Sequence, residues 1–132
     1  MRVTRLRPSK PGGNFERATA VLAKRRYPGV RADVDGVLAE LVAPGAPPIP
    51  CPPRVSDVPG VRGHRVLKVR VGSSDMNAGK SGGFRVLLVL CDEERWEWLP
   101  FAVYAKKDRE DVPRAEILKM LLDELEPAEG DL

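Results

Sequence analysis

Leu67-Lys68-Val69-Arg70-Val71 alternates oily and charged residues, whereas Phe84-Arg85-Val86-Leu87-Leu88-Val89-Leu90-Cys91 is apolar except for one arginine. Successive side chains of a strand point to opposite faces. The first stretch therefore reads as a strand with Leu67, Val69 and Val71 on one face and Lys68 and Arg70 on the other. The second is oily on both faces, which marks a central strand. If the two strands pair, Arg85 joins Lys68 and Arg70. From Arg62 to Arg85 there are six Lys or Arg (62, 65, 68, 70, 80, 85) against one acid, Asp75. Such a local positive field is the usual footprint for phosphate. For Lys68 alone, a solvated charge protecting a sheet edge explains the position equally well. That explanation is weaker for Arg85, because a guanidinium within a hydrophobic run needs an anionic or hydrogen-bonding partner.

A chain of 132 residues is expected to form one domain, residues 1–132, and to bury an ordinary core without staples. Hydrophobic residues at 42% and charged residues at 31% place it among globular proteins rather than disordered or fibrous ones. No apolar run approaches a membrane span and no signal segment opens the chain, so a cytoplasmic location without membrane partners is expected. Cys51 and Cys91, with His64 as the single histidine, do not compose a metal site, and both thiols read as reduced and structural. No cofactor is expected. The net charge of +3 conceals an asymmetry: residues 1–31 carry nine Lys or Arg and one acid, Glu16, while residues 108–132 carry nine acids against Arg109, Arg114 and Lys119. A basic body with an acidic C-terminal helix suits a protein that docks on nucleic acid with one surface and keeps another free. A merely soluble helix end explains the acidic tail equally well.

Arg2 to Arg7 alternates weakly, as in a short edge strand, and Pro8 to Gly13 reads as a turn. Asn14 is suited to N-cap a helix over 15–26 with Phe15, Ala18, Val21 and Leu22 on one face. Tyr27-Pro28-Gly29 breaks it. A second helix, ending at Ala43, places Val34, Val37, Leu38, Leu41 and Val42 at helical spacing. Six of the 13 prolines lie in 44–53, which must be an extended connector. Asp92 to Arg95 reads as a hairpin turn and Trp96 to Tyr104 as a strand in which Pro100 demands an edge or a bulge. A last helix follows, with Asp111 as N-cap and Ile117, Leu118, Leu121, Leu122 and Leu125 as its buried stripe. Period alone does not say whether Trp96 and Trp98 pack inward or face a partner.

The segments Lys24-Arg25-Arg26-Tyr27-Pro28, Lys68-Val69-Arg70, Gly79-Lys80-Ser81-Gly82-Gly83-Phe84-Arg85-Val86 and Tyr104-Ala105-Lys106-Lys107-Asp108 together resemble the RelE/HigB-like toxins of type II toxin-antitoxin modules. The resemblance covers most of the chain from about Phe15 to Leu125. It implies an α+β, microbial RNase-like fold with two N-terminal helices, an antiparallel sheet and a C-terminal helix. It implies a ribosome-dependent mRNA interferase that works without metal, driving the ribose 2′-OH onto the adjacent phosphate. Its partners would be mRNA on the ribosome and a cognate antitoxin. By the same resemblance Lys68 and Arg70 contact phosphate or help deprotonate the 2′-OH, and Arg85 stabilises the phosphorane-like charge. Lys106 or Lys107 is the basic residue ending the last strand. Lys80, Tyr104, Lys106, Arg65 and His64 are the expected RNA contacts, Tyr104 by stacking on a base or by proton transfer. Its alternative role is an aromatic closing a hydrophobic strand.

Relatives with a Tyr or His near the start of the last helix use it as an acid or base. Val112-Pro113 stands there instead, so no general acid or base is identified. Gly79-Lys80-Ser81 also resembles the end of a phosphate-cradling Walker loop, but position 74 is Ser where that motif has Gly, and a strand follows where it has a helix. Two other classes stay open: a catalytically silent nucleic-acid-binding or antitoxin-binding relative, and a structural protein whose basic face docks an acidic partner.

Overall fold

The computed structural model describes residues 2–76 and 82–126. Its elements run β1 (Arg5–Leu6), α1 (Asn14–Arg25), α2 (Val30–Val42), β2 (Val55–Val58), β3 (Val66–Val71), β4 (Phe84–Asp92), β5 (Glu97–Ala105) and α3 (Arg114–Leu125). The fold is α+β, with one five-stranded sheet in the order β1-β5-β4-β3-β2. The apolar run of β4 lies at the centre of that sheet, where both faces are covered. β2, β3, β4 and β5 are antiparallel neighbours.

Two features depart from the expected purely antiparallel sheet. β1 pairs with β5 in parallel through Arg5 and Arg7 N–H bonds to the Trp96 and Trp98 carbonyls, so the sheet is mixed. The Pro-rich connector ends in a fifth strand, β2, whose Val55 and Val58 face opposite sides of the sheet from four-residue pairing with β3. Four residues following a proline cluster carry too short a period to announce a strand. Pro100 sits beyond the two residues that β1 covers, next to a register shift between Leu87 and Leu88. An edge and a bulge coincide there, and neither needs the missing N–H.

α1 and α2 cover one face, packing Phe15, Tyr27, Val30, Val34 and Leu38 on Leu67, Val69, Val71, Phe84, Val86, Leu88 and Trp98. Both tryptophans pack inward: Trp98 is fully buried, and Trp96 meets it edge-to-face at 5.1 Å under the Arg2 guanidinium. α3 covers only part of the opposite face, placing Ile117 and Leu121 against Val66, Leu87, Val89, Leu99 and Phe101.

The helix ends differ from expectation in an instructive way. Gly13, not Asn14, is the N-cap of α1, and Asn14 Nδ2 instead donates to the Phe101 carbonyl at 2.8 Å. The first turn of α1 is capped from a distance by Glu124 of α3, whose carboxylate accepts from Phe15 N–H at 2.9 Å and Lys10 N–H at 2.7 Å. This rotates α3. Its buried residues are Ile117, Leu121 and Glu124, while Leu122 and Leu125 are exposed. Val21 of α1 is exposed as well, its place inward taken by Thr19, which bonds the Phe15 carbonyl. α3 begins after Pro113, and the Asp111 carboxylate accepts from the adjacent Val112 N–H. Much of the charge asymmetry is consumed internally: Arg17 pairs with Asp123, and Lys10 Nζ donates to the Asp123 and Glu126 carbonyls. Cys51 and Cys91 are free thiols. No helix among the described residues is long and apolar enough to cross a membrane.

Candidate functional site

The half of the sheet that α3 leaves uncovered carries the strand cations. In the β3–β4–β5 register Arg70 stands directly opposite Arg85, and Arg85 opposite Tyr104. One step along, Lys68 stands opposite Leu87 on one side and Ser56 of β2 on the other. Lys68, Arg70 and Arg85 therefore share one face, with their apolar neighbours Leu67, Val69 and Val86 on the other. Lys106 joins them: its N–H donates to Gly83 O at 3.0 Å, continuing the ladder, and alternation puts its side chain on the Arg85 side. These four cations, with Ser56, Asp57 and Glu110, line a cleft of about 220 Å³.

Gly83 makes that close convergence of strands possible. A Cβ there would lie 2.0 Å from the Val71 carbonyl oxygen, so only glycine lets β4 start this near the end of β3. The segment after β3 is tied to α2. Ser74 donates through its N–H and hydroxyl to Asp33 at 2.9 and 3.0 Å, and Asp75 accepts from Gly29 N–H at 2.8 Å at the N-terminus of α2.

Arg85 is only 3% exposed and forms the floor of the cleft, with one guanidinium nitrogen donating to the Phe84 carbonyl at 3.1 Å. Burial, then the facing Arg70, lowers its pKa from the ordinary arginine value. Like charges placed directly opposite on adjacent strands oppose folding, and an anion seated between them reverses the sign of that interaction. Lys68 and Arg70 are half-buried, and neither forms an ion pair with a described residue. Among the described residues no group of three or more His, Cys, Asp or Glu is placed to hold a metal ion.

The other expected residues distribute differently. Lys107 does not line the cleft; it faces a neighbouring cavity with Arg26 and Tyr27. Tyr104 is 7% exposed and packed into the α3-side core, where it closes a hydrophobic strand, and it also lines a cavity with Tyr27, Arg109 and Met120. Burial and the nearby Asp111 raise its pKa above the ordinary phenol value. Arg65 and His64 precede the opposite end of β3. Arg65 pairs with Asp57 at 3.4 Å and lies over the Trp96 ring, five positions along the strand from Arg70, a span of about 16 Å. His64 donates its backbone N–H to Val61 in the turn there, and neither residue lines the cleft. Lys80 lies outside the described residues, as does most of its glycine loop. Glu110 was not singled out from sequence. A carboxylate five residues past the last strand has no periodic signal, and the turn at 106–108 carries it back to the cleft.

Compared with known proteins, the chain matches no protein-family model, no curated sequence and no solved structure, so its functional reading rests on the chemistry of this cleft.

Proposed function

We propose that the protein is a toxin-type endoribonuclease of the RelE/HigB-like class, which binds single-stranded RNA across the open half of its sheet and cuts it by attack of the 2′-OH on the adjacent phosphate. The observation that carries this reading is Arg85, 3% exposed in a sheet face it shares with Arg70 and Lys68, at the floor of a cleft open to solvent. A bidentate guanidinium set in a low-dielectric floor is suited to a phosphoryl group whose negative charge grows in the transition state.

In this mechanism Arg85 and Arg70 hold the non-bridging oxygens, and Lys68 reaches the same phosphate from the next pair along β3. Glu110, at the mouth of the cleft, takes the 2′-OH proton as the ribose oxygen bonds phosphorus. Lys106 gives a proton to the departing 5′-oxygen, leaving a 2′,3′-cyclic phosphate and a free 5′-hydroxyl. The class resemblance adds the ribosome as the place of cleavage and an antitoxin as the protein partner.

The test is to induce the wild-type chain and a Lys68→Ala/Arg70→Ala variant from a tightly controlled promoter and to map mRNA 5′ ends. These two residues are chosen because they are half-buried, whereas Arg85 contributes to the floor of the fold. New 5′-hydroxyl ends in translated mRNA and growth arrest, both lost in the variant, support the nuclease. A soluble wild-type chain that binds RNA and neither cuts it nor stops growth favours the silent binding module instead.

A further inference from the structure

Beside the catalytic cleft lies a second cavity, about 670 Å³, whose lining includes Arg26, Tyr27, Asp75, Met76, Lys106 and Lys107. We infer that it is a nucleotide subsite, seating the nucleoside next to the phosphate held by Lys68, Arg70 and Arg85, with Asp75 accepting a hydrogen bond from its base. This inference rests on the proposed RNA-binding reading of the cleft.

Three observations converge. First, the two spaces are joined by a residue: Lys106 lines both. The cleft at about 220 Å³ takes a phosphate and part of a sugar, whereas the neighbouring cavity is in the range that encloses a small organic ligand. Second, its walls are built for a flat, partly apolar group. Tyr27 is 4% exposed and fixed edge-to-face against Phe84 at 5.4 Å, giving a rigid wall, and Met76 is a half-buried, adaptable one.

Third, the charges are mixed in a way that suits a nucleotide better than a plain polyanion. Arg26, Lys106 and Lys107 supply cations, and Arg26 is only loosely held by Asp108 at 3.7 Å. Asp75 adds a carboxylate whose Oδ2 is fixed by Gly29 N–H at 2.8 Å, while Oδ1 has no hydrogen bond among the described residues. A carboxylate repels phosphate but accepts from the exocyclic amino group of adenine, cytosine or guanine, which uracil lacks. Lys107, expected from sequence to act in catalysis, becomes a backbone grip for the outer phosphate.

The experiment measures binding of 2′-O-methyl RNA tetramers of each base, which lack the attacking hydroxyl, to the intact protein over a range of salt. The Arg26→Ala/Lys107→Ala variant changes only exposed side chains. It should bind adenine, cytosine and guanine tetramers roughly ten-fold more weakly and lower the salt slope by about 1.4, two contacts at ~0.7 each. Asp75→Asn, which keeps a carbonyl for the Gly29 N–H, should erase the preference for amino-bearing bases over uracil. If Arg26→Ala/Lys107→Ala binds every tetramer as wild type does while Lys68→Ala/Arg70→Ala loses them, the subsite is refuted and the RNA-binding cleft stands. If inorganic polyphosphate competes as strongly as RNA and Asp75→Asn changes nothing, the cavity is a general polyanion site and the inference fails. A folded wild-type chain that binds no tetramer overturns both readings.

Discussion

The two faces of one sheet obey different rules. Toward α1 and α2, β3, β4 and β5 present Leu67, Val69, Val71, Phe84, Val86, Leu88, Trp98 and Val103, all buried, and no cation breaks that face. Toward α3 the same strands begin in the same way, with Val66, Leu87, Val89 and Leu99, and then turn to Lys68, Arg70 and Arg85 within two residues. Helix coverage stops where the charges start. A face built only for stability gains nothing from opposing Arg70 and Arg85, which repel across the ladder. One face holds the fold, and the other half-face sets Arg70 and Arg85 side by side, an arrangement that a bound anion would favour.

The strongest way to break this contrast is to injure the closed face. Trp98→Ala removes a fully buried indole from its middle and should cost about 3–5 kcal/mol. Thermal denaturation followed by circular dichroism should show a midpoint lower by roughly 10 °C or more. On the open half-face the opposite pattern is expected. Lys68→Ala/Arg70→Ala should reduce RNA cleavage by about 10²–10³-fold, the scale of lost charge stabilisation, with a stability change within ~1 kcal/mol. If the denaturation midpoint falls as far as in Trp98→Ala, the cations are structural and the contrast between the faces collapses.

Glu124 ties the two layers together around the edge of the sheet. Glu124→Ala deprives Phe15 and Lys10 of the acceptor for their N–H groups and should cost about 2 kcal/mol, read from urea unfolding. Cleavage per folded molecule should be unchanged, because neither helix contributes a cation to the cleft. A loss of activity in excess of the folded fraction would show that α3 positions the 106–110 turn as well.

The cation cluster was legible because strand period is rigid. Once β3 and β4 are assigned and paired, Lys68, Arg70 and Arg85 have nowhere to go but one face. What lay beyond the strand ends was not legible. Whether Lys106 or Lys107 reaches the cleft depends on the turn after β5, and Glu110 returns to it only through that turn. Arg65 and His64 are expected RNA contacts, yet the strand carries them to its far end, away from the cleft. The α3 stripe was misread for a chemical reason: Leu122 and Leu125 fit a helical period better than Glu124, but two backbone N–H groups of another element outweigh a leucine's burial. β2 was too short to carry a period of its own, and although the weak alternation of Arg2 to Arg7 marked an edge strand, the parallel pairing of β1 has no sequence signature.

Tyr104 gives the smallest and sharpest probe, because it stands at the border where the apolar half-face meets the charged one. Its phenol is buried beside Asp111, and both effects hold its pKa above the ordinary value despite Arg85, Arg109 and Arg114. The folded protein therefore keeps the proton at a pH where the unfolded chain has released it. The stability this provides is complete below the unfolded pKa of about 10 and drains away as pH rises through the higher folded value. Tyr104→Phe removes the ionisation and keeps the ring, so urea midpoints measured between pH 8 and 11 should fall less steeply for the variant than for wild type. RNA cleavage at neutral pH should be unaltered, since a ring closed into the α3-side core touches no substrate. If cleavage falls while the neutral-pH midpoint holds, the hydroxyl takes part in proton transfer. The boundary between the two kinds of face would then lie one residue pair further toward α3.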